Sequence, residues 1–317
     1  MSKAYFLSED FLGGASIVID EEKFRSLSDA LTMVVSAVEI EELFQVFSQS
    51  YVRFEKELLD VVFEYTYLNK RFLSFDDFFN SVRYRFNVSV ITVLTSYRSY
   101  DDHCQRILKA LSIPEGVEEF NREARSQSYD RHLSYRICAE LRNYAQHQAL
   151  PLGGFSIGGK TNLGRNIEGR AIKLDSGINV SPWLDVIKFK ASPKCKGSLR
   201  QELEGLGFEK IDMKWLIRSF AGAMHERHSL LRDFLKPAIE FAGQRISDAY
   251  DFASSVKESK AEFLELCSEG ESRPMRRDLA SITLKAFATD RSLQGVARSY
   301  VTSQIIQERN TYSGQPY

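Results

Sequence analysis

Arg142-Asn143-Tyr144-Ala145-Gln146-His147 runs straight into a helix stop, Leu150-Pro151-Leu152-Gly153-Gly154. Upstream of it Leu133, Ile137, Cys138 and Leu141, with Tyr144 and Ala145, recur at helical spacing. That spacing predicts a helix over about residues 129–149 with one apolar stripe turned to a core. Pro151 and the paired glycines cannot continue it. Asn143 and His147 lie four apart, so they share a second face. Arg142 starts to one side of that face, and its long side chain can swing toward it.

Moving outward, the pattern stays mostly helical. Ala15 to Ile19 reads as a short strand, and Asp20-Glu21-Glu22 as a helix start. Helices are expected over about residues 21–38 and 39–68, the second striped by Leu43, Val46, Phe47, Tyr51, Phe54, Leu58, Val61 and Val62. A long helix over about 76–111 carries Phe78, Val82, Phe86, Val90, Val93 and Leu94, then Tyr97, Tyr100, Asp101, Asp102 and His103. Pro114 and Gly116 separate it from the motif helix. Past Gly153 the character changes. Glycines punctuate β-prone pieces at 155–157, 170–174 and 186–189, which predicts a β-hairpin or small sheet inserted over about 153–190. Helices return at about 198–205 and 213–256, the latter with Asp212 as N-cap and Pro237 inside it. The last sixty residues read as two or three shorter helices ending in a loose polar tail, 310–317. The expected fold is therefore mainly α, an antiparallel helical bundle with a small β-hairpin insertion. The expected divisions are an N-terminal helical region, 1–72, a core, 73–256, and a C-terminal helical region, 257–317.

Composition narrows the class. The chain has 317 residues, 43% hydrophobic and 27% charged, with net charge −1; these are values of an ordinary globular protein. The longest apolar run, Ala30 to Val38, is too short to span a bilayer. Glu9 and Asp10 near the N-terminus do not fit a secretion signal. Cys104, Cys138, Cys195 and Cys267 are scattered without a CxxC pair, as expected for reduced thiols in a cytoplasmic protein. Charge is unevenly spread. Residues 1–65 hold thirteen acidic and five basic side chains, whereas 157–200 holds nine basic against three acidic. The second stretch includes Lys160, Arg165, Arg170 and Lys173. It suits a polyanion such as RNA, or equally a solvated hairpin surface that balances the acidic N-terminal region.

Three further patterns compete for attention. Gly154-Phe155-Ser156-Ile157-Gly158-Gly159-Lys160-Thr161 satisfies the phosphate-loop pattern G-x-x-x-x-G-K-[ST]. Neither a preceding strand nor a following helix accompanies it, so a glycine-rich hairpin turn is the expectation. His225-Glu226-Arg227-His228 is one residue short of H-E-x-x-H and reads as a polar helix face rather than a metal site. Arg218 and His225 repeat the Arg-to-His spacing loosely, but mid-helix with no stop after them.

The helix-terminal Arg142-Asn143-x-x-x-His147 resembles the motif of the HEPN superfamily, Arg followed four to six residues later by His, often with a polar residue directly after the Arg. The resemblance spans about residues 75–256 and is carried by 129–153. It implies a small α-helical domain and a metal-independent endoribonuclease without a cofactor. It also implies a homodimer whose motif helices meet in one composite site, with Arg142, Asn143 and His147 as site residues. A toxin-like or defence-associated role under a regulatory or antitoxin-like partner follows by the same analogy, with no membrane involved. In that reading the 76–111 helix and the motif helix are antiparallel partners, and Asp101, Asp102 and His103 lie near the site. The chemistry suits the residue types. An imidazole titrates near neutrality and moves protons, and a guanidinium holds phosphate oxygens in a planar fork. Asn143 orients the imidazole or binds the sugar-phosphate. The alternative is a catalytically inactive HEPN-like module that binds RNA or a protein. Basic side chains at a helix C-terminus are favoured by the helix dipole in any case.

Overall fold

The computed structural model describes residues 4–9, 16–68, 74–112, 114–165, 170–290, 293–298 and 300–301. Among them are eight α-helices, one π-helical turn and seven strands in two antiparallel sheets, so the chain is mainly helical with small sheets. No helix among the described residues is long and apolar enough to cross a membrane. The expected loose tail, 310–317, lies outside the described residues.

Strands β1 (Tyr5–Ser8) and β2 (Ser16–Ile19) lead into α1 (Glu21–Phe63). Asp20 opens that helix by accepting from the Lys23 backbone N–H at 2.7 Å. The expected division into two helices near residue 38 does not occur. No Gly or Pro interrupts 21–63, and buried Leu27, Leu31, Val34, Phe44, Phe47, Tyr51, Phe54, Leu58 and Val61 continue one stripe along it. A π-helical turn, Glu64–Leu68, follows. Helix α2 (Phe75–Lys109) falls where its stripe places it.

Helix α3 (Val117–Arg131) was not expected; only Val117, Asn121 and Ala124 are buried along it, so it shows no apolar stripe. The motif helix α4 (Leu133–His147) is separated from α3 by His132, whose backbone is extended at φ −116° and ψ 111°. The predicted 129–149 helix is thus the end of α3 followed by α4.

The β insertion is present. Strands β3 (Gly154–Arg165) and β4 (Ala171–Asp185) form an antiparallel hairpin, and β5 (Lys210–Asp212) extends it in the order β3-β4-β5. Val186 to Phe189, read as β-prone, instead open the short helix α5 (Val186–Ala191), because the Asp185 carboxylate caps it by accepting from the Lys188 N–H at 3.0 Å. Helix α6 (Gly197–Leu206) precedes β5, and α7 (Met213–Lys257) follows with Pro237 inside it. Asp212 serves as its cap, accepting from the Lys214 N–H at 2.6 Å. The C-terminal region is not purely helical. Strands β6 (Leu264–Ser268) and β7 (Glu271–Met275) turn at Gly270, whose φ of +82° suits glycine, and among the described residues α8 (Leu279–Thr289) is the one helix that follows them. This hairpin joins β1 and β2 in a sheet of order β2-β1-β6-β7.

The chain groups into two compact units: Met1–Val46 with Arg98–Gln127 and His225–Ser292, and Phe47–Tyr97 with Ser128–Met224 and Leu293–Tyr317. The first holds the four-stranded sheet and a buried polar core described below. In the second, α4 is held by aromatic contacts. Tyr135 stands edge-on to Tyr97 of α2 at 5.7 Å and to Phe220 of α7 at 5.5 Å, and Phe220 meets Phe47 of α1 at 5.9 Å. Tyr97 therefore contacts the start of α4, whereas Asn87, earlier on α2, accepts from the N–H of Leu152 beyond the end of α4 at 3.1 Å. The contacts run in opposite order, so α2 and α4 are antiparallel. Phe155 anchors the hairpin here, 5.1 Å from Phe79 and 5.8 Å from Phe86.

Candidate functional site

Helix α4 buries Ile137, Cys138, Leu141 and Tyr144 of the stripe expected of it, with Leu133 and Ala145 half-buried. Its polar side chains fall into two groups. Arg136 is committed: it grips Glu202 through two nitrogens at 3.0 and 2.6 Å and donates to the carbonyls of Tyr129 and Asp130. Buried Glu140 accepts from Lys196 at 3.0 Å. Arg142 differs. It is half-buried, its one side-chain hydrogen bond among the described residues goes to the Asn143 side-chain oxygen at 3.2 Å, and its Nε is buried with no acceptor. The guanidinium has thus swung toward the Asn143 face. His147 is the last residue of α4 and is exposed. Arg142 and Asn143 are brought together; no hydrogen bond joins His147 to either.

The basic stretch divides as well. Arg170 is exposed, and the side chains of Lys160, Arg165 and Lys173 lie outside the described residues. Lys196 is spent on Glu140, and Arg200 donates to the carbonyls of Ser192 and Cys195. Lys188 is exposed beside a surface cleft of about 220 Å³. Arg83 of α2 lines the same cleft, and its guanidinium has no hydrogen-bond or ion-pair partner among the described residues. Lys188 belongs to the basic run, but nothing in the sequence ties Arg83 to it.

The competing motifs resolve by burial. The phosphate-loop pattern is strand β3, neither a loop before a helix nor a turn; residues 166–169, between the hairpin strands, lie outside the described residues. Arg218 is spent on Glu55, with two nitrogens at 2.7 and 2.9 Å. His225 to His228 do not form a polar surface, since Arg227 and His228 are buried. Phe44 stacks on the His228 ring at 3.8 Å. His228 lies between the Tyr100 hydroxyl at 2.9 Å from Nδ1 and Glu41 at 2.8 Å from Nε2. An ionised carboxylate only accepts, so Nε2 carries the proton and Nδ1 accepts from Tyr100. Arg232 clamps the same carboxylate at 2.9 and 2.6 Å and reaches Asp290 at 2.9 Å. Beside it Arg227 donates to Asp101 at 2.6 Å, with Arg125 at 3.1 Å. Asp101 is therefore part of a buried ion network, while exposed Asp102 pairs with Arg98.

Burial pushes the His228 imidazole below its ordinary value, despite the hydrogen bond to Glu41. Burial raises the Glu41 carboxyl, but the hydrogen bonds from His228 and Arg232 and the guanidinium charge hold it below its ordinary value. Among the described residues no group of three or more His, Cys, Asp or Glu is placed to hold a metal ion. Comparison with protein-family models, with curated proteins and with solved structures finds no match for this chain.

Proposed function

We propose that the chain is a metal-independent endoribonuclease of the HEPN kind, acting through Arg142, Asn143 and His147 on α4. One observation carries the reading. Arg142 is half-buried with an Nε that has no acceptor, and no carboxylate among the described residues pairs with it. Arg85, Arg136, Arg218, Arg227 and Arg232 each hold one. An uncompensated guanidinium on the same helix end as an exposed imidazole suits a phosphate diester. The antiparallel α2 and α4 are compatible with the HEPN-like bundle.

The reaction needs no external reagent. The 2′-OH attacks the adjacent phosphorus and the bond to the 5′-oxygen breaks, leaving a 2′,3′-cyclic phosphate and a 5′-OH. One imidazole takes the 2′ proton and a protonated one supplies the proton to the 5′-oxygen. Arg142 holds the equatorial oxygens as negative charge gathers there. Two His147 side chains require two chains, so α4 is the proposed homodimer element, and a regulatory partner would act by covering it. A second reading, a non-catalytic module that docks RNA or a protein, draws on the lack of any hydrogen bond between His147 and Arg142 within one chain.

End-labelled RNA incubated with the purified protein in EDTA separates the two. Cutting that leaves cyclic phosphate ends is expected, reduced by about 10²–10⁴-fold in His147→Ala, the range for loss of a general acid or base. His147 is exposed, so the variant keeps its fold by circular dichroism. Cutting that needs Mg²⁺ and ignores His147 would sink the mechanism. A folded wild type that cuts nothing would favour the binding module.

A further inference from the structure

The cleft beside α4 has a composition that the catalytic motif does not explain. Buried Leu152 and Leu184 form its floor, with the Tyr144 ring, which stands edge-on to Phe189 at 5.6 Å. Exposed Leu150 makes an apolar wall. Arg83 and Lys188 supply positive charge at the surface. The negative group is Asp185, whose carboxylate caps α5 and lies 3.5 Å from the Lys188 ammonium. The three charges sum to +1, and Arg83 is without a counter-ion among the described residues. Tyr144 precedes His147 by three positions, so the two stand on neighbouring faces of the same helix. Backbone packs closely along one side of the cleft. Gly153 donates to the Trp183 carbonyl at 2.9 Å, and a Cβ there would meet the Asp185 backbone nitrogen at 2.6 Å.

An apolar floor with cations at its surface fits a nucleotide, the base against the floor and phosphates against guanidinium and ammonium. At about 220 Å³ the cleft is below the roughly 300–1,000 Å³ typical of drug-sized ligands. It has room for one base and not for a pair. A base locked in an A-form duplex cannot reach such a floor, whereas an unpaired one can be splayed into it. Building on the ribonuclease reading, we propose that this cleft is a subsite that seats one unpaired nucleotide of the RNA next to the scissile phosphate. Arg83 and Lys188 are its binding residues, and neither takes part in proton transfer.

Two measurements on the full chain test this, with Arg83→Glu/Lys188→Glu and Leu150→Asp as variants at exposed positions. The first is fluorescence anisotropy of a labelled, uncleavable 2′-O-methyl oligonucleotide, single-stranded or annealed to its complement. The second is cleavage of the matching RNA in EDTA. Single strand is expected to bind the wild type at least about tenfold more tightly than duplex, and each variant is expected to lose at least about tenfold in affinity. In cleavage the loss is expected in KM, with kcat kept. Wild-type affinity in both variants, equal binding of duplex, or no binding by the wild type would overturn the proposal. The two readings fail separately. Cleavage by the wild type with unchanged KM in the variants removes the cleft and leaves the ribonuclease. Binding that depends on Arg83 and Lys188 without any cleavage removes the ribonuclease and leaves the cleft.

Discussion

At Gly153 the side chain that is missing matters more than any that is present. A Cβ would lie 2.6 Å from the backbone nitrogen of Asp185 and 2.7 Å from its Cβ, and backbone cannot yield as a flexible side chain does. Gly153→Ala is therefore expected to cost about 1–3 kcal/mol, the usual penalty of overpacking, read as a lower urea midpoint. Gly158→Ala meets nothing within 4 Å and serves as the control. Asp101 is the converse case, a side chain whose removal is felt. It is buried and faces Arg227, itself buried, with Arg125 alongside. Asp101→Asn keeps the shape but takes away the charge that compensates Arg227. A loss of about 3–5 kcal/mol is expected, as for breaking one partner of a buried pair. A midpoint within error of wild type would show that water reaches Arg227.

The network spanning α1, α2 and α7 gives the first unit a pH-dependent stability whose sign follows from its protonation. His228 is neutral in the fold because burial lowers its pKa. In the unfolded chain it protonates near its ordinary value of 6.5. The unfolded state then binds more protons, so stability falls as pH drops below about 6.5. Glu41 acts in the same direction lower down: its folded pKa lies below the ordinary 4.5, so its contribution is present above 4.5 and lost on further acidification. Thermal melts from pH 8 to 4 should show a decline that begins near 6.5, and His228→Gln should flatten its upper part. An unchanged slope in that variant would place the titration elsewhere. Elements differ in how much of this was legible. The stripes of α2 and α4, the caps Asp20 and Asp212 and the β3–β4 hairpin follow from local pattern. Helix α3 is too polar to show a stripe, and β1 finds its partner β6 across most of the chain, a pairing no local window holds. His225 to His228 have the composition of a surface, yet Arg227 and His228 end in the core, Arg227 because Asp101 compensates its charge and His228 because it sits neutral between Tyr100 and Glu41. The candidate site divides the same way. Arg142, Asn143 and His147 stand within one helical turn and a half and are visible as a motif. Arg83 reaches the neighbouring cleft only through the antiparallel packing of α2 and α4.

Across the whole molecule the four cysteines sample both units: Cys104 and Cys267 fall in the first, Cys138 and Cys195 in the second. All four are free and buried. Burial pushes the Cys104 thiol up to about 11 and raises Cys138 and Cys195 as well. Reactivity needs a thiolate that reagent can reach; burial withholds access from all four, and at pH 8 it also keeps Cys104, Cys138 and Cys195 protonated. The native protein is therefore expected to show no thiol reacting rapidly with DTNB, and four after denaturation. In a urea titration the same assay reads the two units at once. Two thiols appearing ahead of the other two would show one unit opening first, and mass spectrometry of the labelled peptides would say which. If Cys138 labels in the native state, α4 is loose from its stripe, and the geometry proposed for Arg142 and His147 loses its support. The thiol count thus guards the ribonuclease assay: a preparation that fails to cut RNA while all four cysteines stay protected has failed with its motif helix in place.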